Sequence, residues 1–176
     1  MTARKPRTIF LLRLVQLNLY NLLVEKLRPF ALTPIQYMVL SISSSRGSWS
    51  SAELARRFHI APQSMTEIVA SLERKKLIAR SQSAEHRRIL NIHVTASGAR
   101  TLAKCDRAVD RLEREAFDGF ATEELDGFRE LLTKALAGTR RRQDEAAPAR
   151  AGRRVNGQLA APRAKRARAV PTSAAQ

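Results

Sequence analysis

Two groups of residues in this chain are suited to gripping a nucleic acid. One is the adjacent pair Arg87 and Arg88. The other is a set of polar or small residues, Pro62, Gln63, Ser64, Thr66, Glu67 and Ala70. Guanidinium groups hold phosphates or enter the narrow groove of a duplex. Amide, hydroxyl and carboxylate side chains on a helix can meet base edges in the wide groove, where each base pair shows its own pattern of donors and acceptors. Glu67 can accept a hydrogen bond from cytosine N4, but phosphates repel it, so its expected role is to exclude wrong sequences or to hold a neighbouring arginine. Arg74 and Lys75 follow at the end of the same segment and are placed for phosphate contact rather than base reading.

Bond-making chemistry has no comparable signal. The chain has no nucleophile-elbow Gly-x-Ser-x-Gly and no phosphate-binding Gly-rich loop, and its seven glycines are scattered. His59, His86, His93 and Cys105 share no metal-ligand spacing. No enzyme activity, metal or cofactor is expected. The lone Cys105 cannot form an intramolecular disulfide. Lys104 and Arg107 are its sequence neighbours and would depress its pKa if they faced it, but a buried structural thiol is the favoured reading.

Charge supports the polyanion. The 176 residues hold 32 Lys+Arg against 16 Asp+Glu, a formal net charge of +16. Nucleic acid leads as partner and an anionic lipid surface is second. Residues 140–176 carry ten Lys/Arg and two acids, so half of the excess lies in about a fifth of the length. From Asp144 onward the only large apolar residues are Val155, Leu159 and Val170, too few to offset ordering entropy, so a disordered basic tail is expected over 140–176. With no secretory leader pattern at the start of the sequence, the cytoplasm is the expected compartment.

The elements that must position these residues follow from periodicity and caps. Ile9 to Leu27 is a helix closed by Arg28-Pro29. Its apolar surface is wider than one stripe, a first hint of dimerisation. Arg13, Gln16, Asn18, Asn21 and Glu25 interrupt it too often for a bilayer span, and no membrane association is expected. Thr33-Pro34-Ile35-Gln36 and Ser50-Ser51-Ala52-Glu53 are capping boxes that open two further helices. His59-Ile60-Ala61-Pro62 is a tight turn into a helix whose Met65, Ile68, Val69 and Leu72 share one buried face. Two short helices about a brief turn make a helix-turn-helix.

Leu77 to Gln82 and the alternating Ile89 to Thr95 predict a hairpin, with Arg87 and Arg88 where loop meets strand. Thr95 caps the next helix, whose face is tracked by Ala99, Leu102, Asp106, Val109, Leu112 and Ala116, with Asp106 out of keeping. Thr122 precedes a last helix, for which Gly138 is the predicted stop. Trp49, Tyr37 and Met38 are expected as core or pocket-wall residues.

Four stretches carry a family resemblance: Leu32-Thr33-Pro34-Ile35-Gln36-Tyr37, Ser51 to Arg57, Ser71 to Ile78, and His86-Arg87-Arg88 leading to Val94-Thr95-Ala96-Ser97-Gly98. Taken together, over roughly residues 10–138, the sequence resembles the MarR family of bacterial transcriptional regulators. The resemblance implies a mainly α fold with a small β-hairpin wing, a winged helix-turn-helix flanked by N- and C-terminal dimerisation helices. The expected parts are an N-terminal dimerisation helix at 1–31, a DNA-binding domain at 32–97, C-terminal dimerisation helices at 98–139 and the basic tail at 140–176.

The resemblance also implies a homodimer on double-stranded DNA with a palindromic operator, a reading helix starting near Pro62, and Arg88 as the wing arginine. A small phenolic or anionic effector that lowers DNA affinity is implied in the same way. Two departures stand out. The family usually has an Asp two residues before the wing arginine, and here that place is His86, with Glu85 beside it. The residue before the reading helix is Ala61, which offers no capping oxygen. The alternative reading is a nucleoid-associated, architectural binder of low sequence preference driven by the tail.

Overall fold

The structure, a computed structural model, describes residues 5–45, 49–82 and 90–153. It divides into two units, Met1–Gly119 and Phe120–Gln176.

In the first unit α1 (Thr8–Leu27) ends in the 3-10 turn Arg28–Phe30, which Ala31 closes in the left-handed conformation at φ 53°. The expected capping box opens α2 (Pro34–Ser45). The Gln36 N–H donates to Thr33 Oγ1 at 3.3 Å, and the Thr33 N–H donates to Gln36 Oε1 at 3.2 Å. The second box, Ser50 with Glu53, opens α3 (Ser51–Phe58), and α4 (Pro62–Arg74) follows the turn.

The hairpin is formed by β2 (Ile78–Gln82) and β3 (Leu90–Val94), antiparallel and in register from Ile78 opposite Val94 to Gln82 opposite Leu90. A third strand, β1 (Trp49–Ser50), pairs with β3, placing Trp49 opposite Ile92, so the sheet order is β1-β3-β2. The sequence did not predict β1. It is two residues long, and its second residue doubles as the N-cap of α3.

α5 (Ala96–Ala116) is capped by Thr95, whose Oγ1 accepts from the Gly98 N–H at 2.9 Å and donates to the Lys76 carbonyl at 2.7 Å. A Cβ on Gly98 would lie 2.0 Å from the Leu77 carbonyl oxygen, so only glycine permits this approach of helix to strand. The buried face of α5 differs from expectation. It runs through Gly98, Leu102, Cys105, Ala108 and Leu112, while Ala99 and Ala116 are exposed. Leu102 and Leu112 belong to both faces, and the small residues Gly98, Cys105 and Ala108 between and beside them let the helix pack closely. Leu27, Val39, Leu40, Leu54, Met65 and Leu72 lie at the centre of the core with essentially no exposure.

In the second unit α6 (Thr122–Arg153) passes straight through Gly138, which therefore is not the predicted stop. A glycine inside a helix costs only about 1 kcal/mol, and the residues that follow, Arg140-Arg141-Arg142-Gln143, are good helix formers. The segment 140–153, expected as part of a disordered tail, is helical. Residues 154–176 lie outside the described residues.

Candidate nucleic-acid interface

The exposed face of α4, the candidate reading face, is set by what the helix buries. Met65, Val69 and Leu72 are shut into the core, whereas Gln63, Ser64, Thr66, Glu67 and Arg74 are exposed and Ala70 is half-buried. With three apolar anchors on one side, the helix cannot roll without exposing them. Ala61 caps without a side chain, as expected. The first bonded turn comes from the Met65 N–H to the Ala61 carbonyl at 3.0 Å, with Pro62 at the first position, where its missing N–H costs nothing. Thr66 Oγ1 donates back to the Pro62 carbonyl at 2.9 Å. Its donor is therefore spent while its lone pairs remain, which suits it to accept from an adenine or cytosine amine.

Around that face lie cations that the sequence reading did not single out. Arg56 and Arg57 are exposed in the last turn of α3, and the Arg57 guanidinium lies 5.7 Å from the Trp49 ring centroid, a cation–π distance. Lys76 is exposed at φ 59°, just past the end of α4. Lys75 is different. Its ammonium donates to Gln36 Oε1 at 2.8 Å and to the Ala31 carbonyl, and burial, with Arg74 alongside, lowers its pKa.

Arg87 and Arg88, with Glu85 and His86, lie outside the described residues. The strands flanking them end in the directly paired Gln82 and Leu90, and Arg80 Nε of β2 lies 3.1 Å from Glu73 Oε2 of α4, tying wing to helix. On the sheet, Ser81 Oγ and His93 Nε2 are hydrogen-bonded at 2.7 Å.

Behind the interface, Asp106 accepts a 2.8 Å hydrogen bond from the Tyr37 hydroxyl, joining α2 to α5. This explains why a carboxylate stands at the edge of an apolar face. Burial, with the neighbouring Asp106 charge, pushes the Cys105 thiol up to about 11, and burial and Asp106 also raise Tyr37. Of the three expected core or pocket-wall residues, Trp49 is buried, Tyr37 is half-buried and Met38 is exposed.

A pair of short helices about a tight turn, followed by an antiparallel wing and backed by long helices, defines a winged helix-turn-helix protein. Residues 32–90 match the model of the MarR family. An uncharacterized HTH-type transcriptional regulator of Bacillus subtilis, YsmB, is 26% identical over 110 residues, covering 62% of this chain and 75% of that one. An HTH-type transcriptional repressor of Mycobacterium tuberculosis is 39% identical over 85 residues, covering 48% of this chain and 60% of that protein. Among solved structures, mutant MarR from E. coli complexed with operator DNA superposes with a TM-score of 0.65 at 24% identity, covering 72% of this chain and 91% of that one. Over residues 32–90 the sequence is thus similar to the MarR family of transcriptional regulators, and the fold is the winged helix-turn-helix seen in the solved MarR structure.

Proposed function

We propose that this protein is a sequence-specific repressor that binds a palindromic operator as a homodimer in the cytoplasm and is released by a small phenolic or anionic effector. The observation that carries this reading is the division of α4 into a fully buried apolar side and an exposed polar side bearing Gln63, Ser64, Thr66 and Glu67. Pro62 and Ala70 shape the approach of that face to the groove. Arg74 supplies phosphate contact, and Arg87 and Arg88 supply the wing contact in the minor groove. The Mycobacterium tuberculosis relative, a repressor by name, supports the direction of regulation.

The architectural reading rests on the +8 that residues 140–176 contribute. One measurement separates the two readings. A duplex selected from a random pool by this protein is competed against random duplex at physiological salt. The repressor reading expects preference for the selected site of ~10³-fold or more; comparable affinity for both would overturn it.

A further inference from the structure

The C-terminal end of α4 is tied to the corner between α1 and α2 by a polar cluster built on Gln36 and on Lys75, the latter expected from the sequence as a phosphate contact. Gln36, only 9% exposed, makes three side-chain hydrogen bonds there. Its Oε1 accepts from the Thr33 N–H at 3.2 Å and from Lys75 Nζ at 2.8 Å, and its Nε2 donates to Ser71 Oγ at 3.0 Å. Lys75 Nζ donates a second hydrogen bond to the carbonyl of Ala31, the residue that ends the turn after α1. Two of the three ammonium protons are therefore held by neutral acceptors on a different element.

We infer that Lys75 is a positioning residue for sequence recognition: with Gln36 it fixes the angle of α4 against the α1–α2 corner, so that the disposition of α1 governs where the reading face lies. The inference rests on the DNA-binding reading above. The helix end so held is the same one that Glu73 ties to Arg80 of the wing at 3.1 Å, so α4 is braced at its C-terminus on two sides while its N-terminal turns carry Gln63 and Thr66. At 1.5 Å per residue α4 is about 20 Å long, and a swing of roughly 5° about its braced end moves the other end by roughly 2 Å. That exceeds the few tenths of an ångström that a base-edge hydrogen bond tolerates. A compact ammonium can chelate a carbonyl and an amide oxygen at one point. A planar guanidinium of the same charge cannot do so in the same space.

The arginine substitution is therefore the decisive variant. Lys75→Arg and Lys75→Met are compared with the unmodified full chain on the selected duplex and on random duplex across a salt series, with thermal melting to confirm folding. Both variants are expected to lose about tenfold in affinity for the selected duplex, the scale of a lost charged hydrogen bond, while Lys75→Arg keeps its affinity for random duplex and its salt slope. Ser71→Ala, which withdraws the partner of Gln36 Nε2 and leaves Lys75 in place, is expected to lower selectivity in the same sense.

If Lys75→Arg binds both duplexes like the unmodified chain while Lys75→Met loses affinity on both and its salt slope falls by ~0.9, Lys75 is a phosphate contact and the inference is wrong. Lowered melting temperatures with unchanged selectivity would overturn it equally, reducing Lys75 to a structural role. Absence of selectivity in the unmodified chain would instead refute the repressor reading itself.

Discussion

Cys105 illustrates what a sequence can and cannot tell at the level of one residue. Its burial was legible, because a helix with apolar neighbours four apart leaves little room for an exposed thiol. Its electrostatics were not. What raises its pKa is burial first and then the charge of Asp106, which Tyr37 of another helix holds in place, rather than the neighbouring cations. Folding therefore moves the thiol from 9.0 to about 11. The folded state keeps it neutral where the unfolded chain releases the proton. The contribution to stability is thus complete below pH 9 and is lost as pH rises through 9 towards 11, by about 2–3 kcal/mol at the upper end. Denaturant midpoints measured from pH 8 to 11 should fall more steeply for the unmodified chain than for Cys105→Ala. Iodoacetamide should leave Cys105 untouched at pH 8 until the chain is unfolded. Rapid alkylation of the folded protein would contradict the burial, since the thiol is 0% exposed.

At the scale of elements, legibility follows distance along the chain. Both capping boxes close within four residues, and both are present as expected. β1 depends on partners some forty residues away, so no local pattern announces it. The polar brace of α4 was hidden for the same reason. Gln36 already had a local role in its capping box, and only the fold brings Ser71 and Lys75 to its remaining atoms. Helix ends hold another feature that local patterns miss. Ala31, His59 and Lys76 all adopt positive φ, and each is followed by a backbone bond that reaches back five residues: Leu32 to Leu27, Ile60 to Ala55 and Leu77 to Leu72. These are Schellman closures in which glycine would be the unstrained choice. Ala31 is exposed and offers the brace only its carbonyl, so Ala31→Gly should relieve the left-handed strain and stabilise the fold by about 1 kcal/mol. Differential scanning calorimetry should show the melting temperature rising by a few degrees, with Lys75-dependent selectivity retained. A drop would mean that the methyl group or a stiffer unfolded chain matters more than the strain.

The molecule as a whole leaves α1 in need of a partner. Leu27 at its end is buried, and Lys26 pairs with Glu115 of α5 at 3.0 Å. Yet Ile9, Phe10, Leu14 and Tyr20 stand in solvent, Phe10 at 61% exposure. By length and apolarity alone, Thr8–Phe30 is a helix that could cross a membrane. Two environments would cover such a surface. A bilayer would have to take in Arg13, with Asn18 and Asn21, and an arginine at mid-membrane alone costs about 2.5–3.5 kcal/mol. A second copy would leave those groups at a wet rim while burying the apolar ones, and it would set two reading helices on one duplex, as a palindromic site requires. The dimer is therefore the expected state. Phe10→Glu combined with Leu14→Glu should convert it to a monomer in sedimentation equilibrium at micromolar concentration. Far-UV circular dichroism should stay near that of the unmodified chain, because neither side chain is buried within the protomer. Affinity for the selected palindrome should then fall towards that for a single half-site. A dimer that survives both charges would place the interface elsewhere, and an unmodified chain that is monomeric and floats with neutral lipid vesicles would hand α1 to the membrane instead.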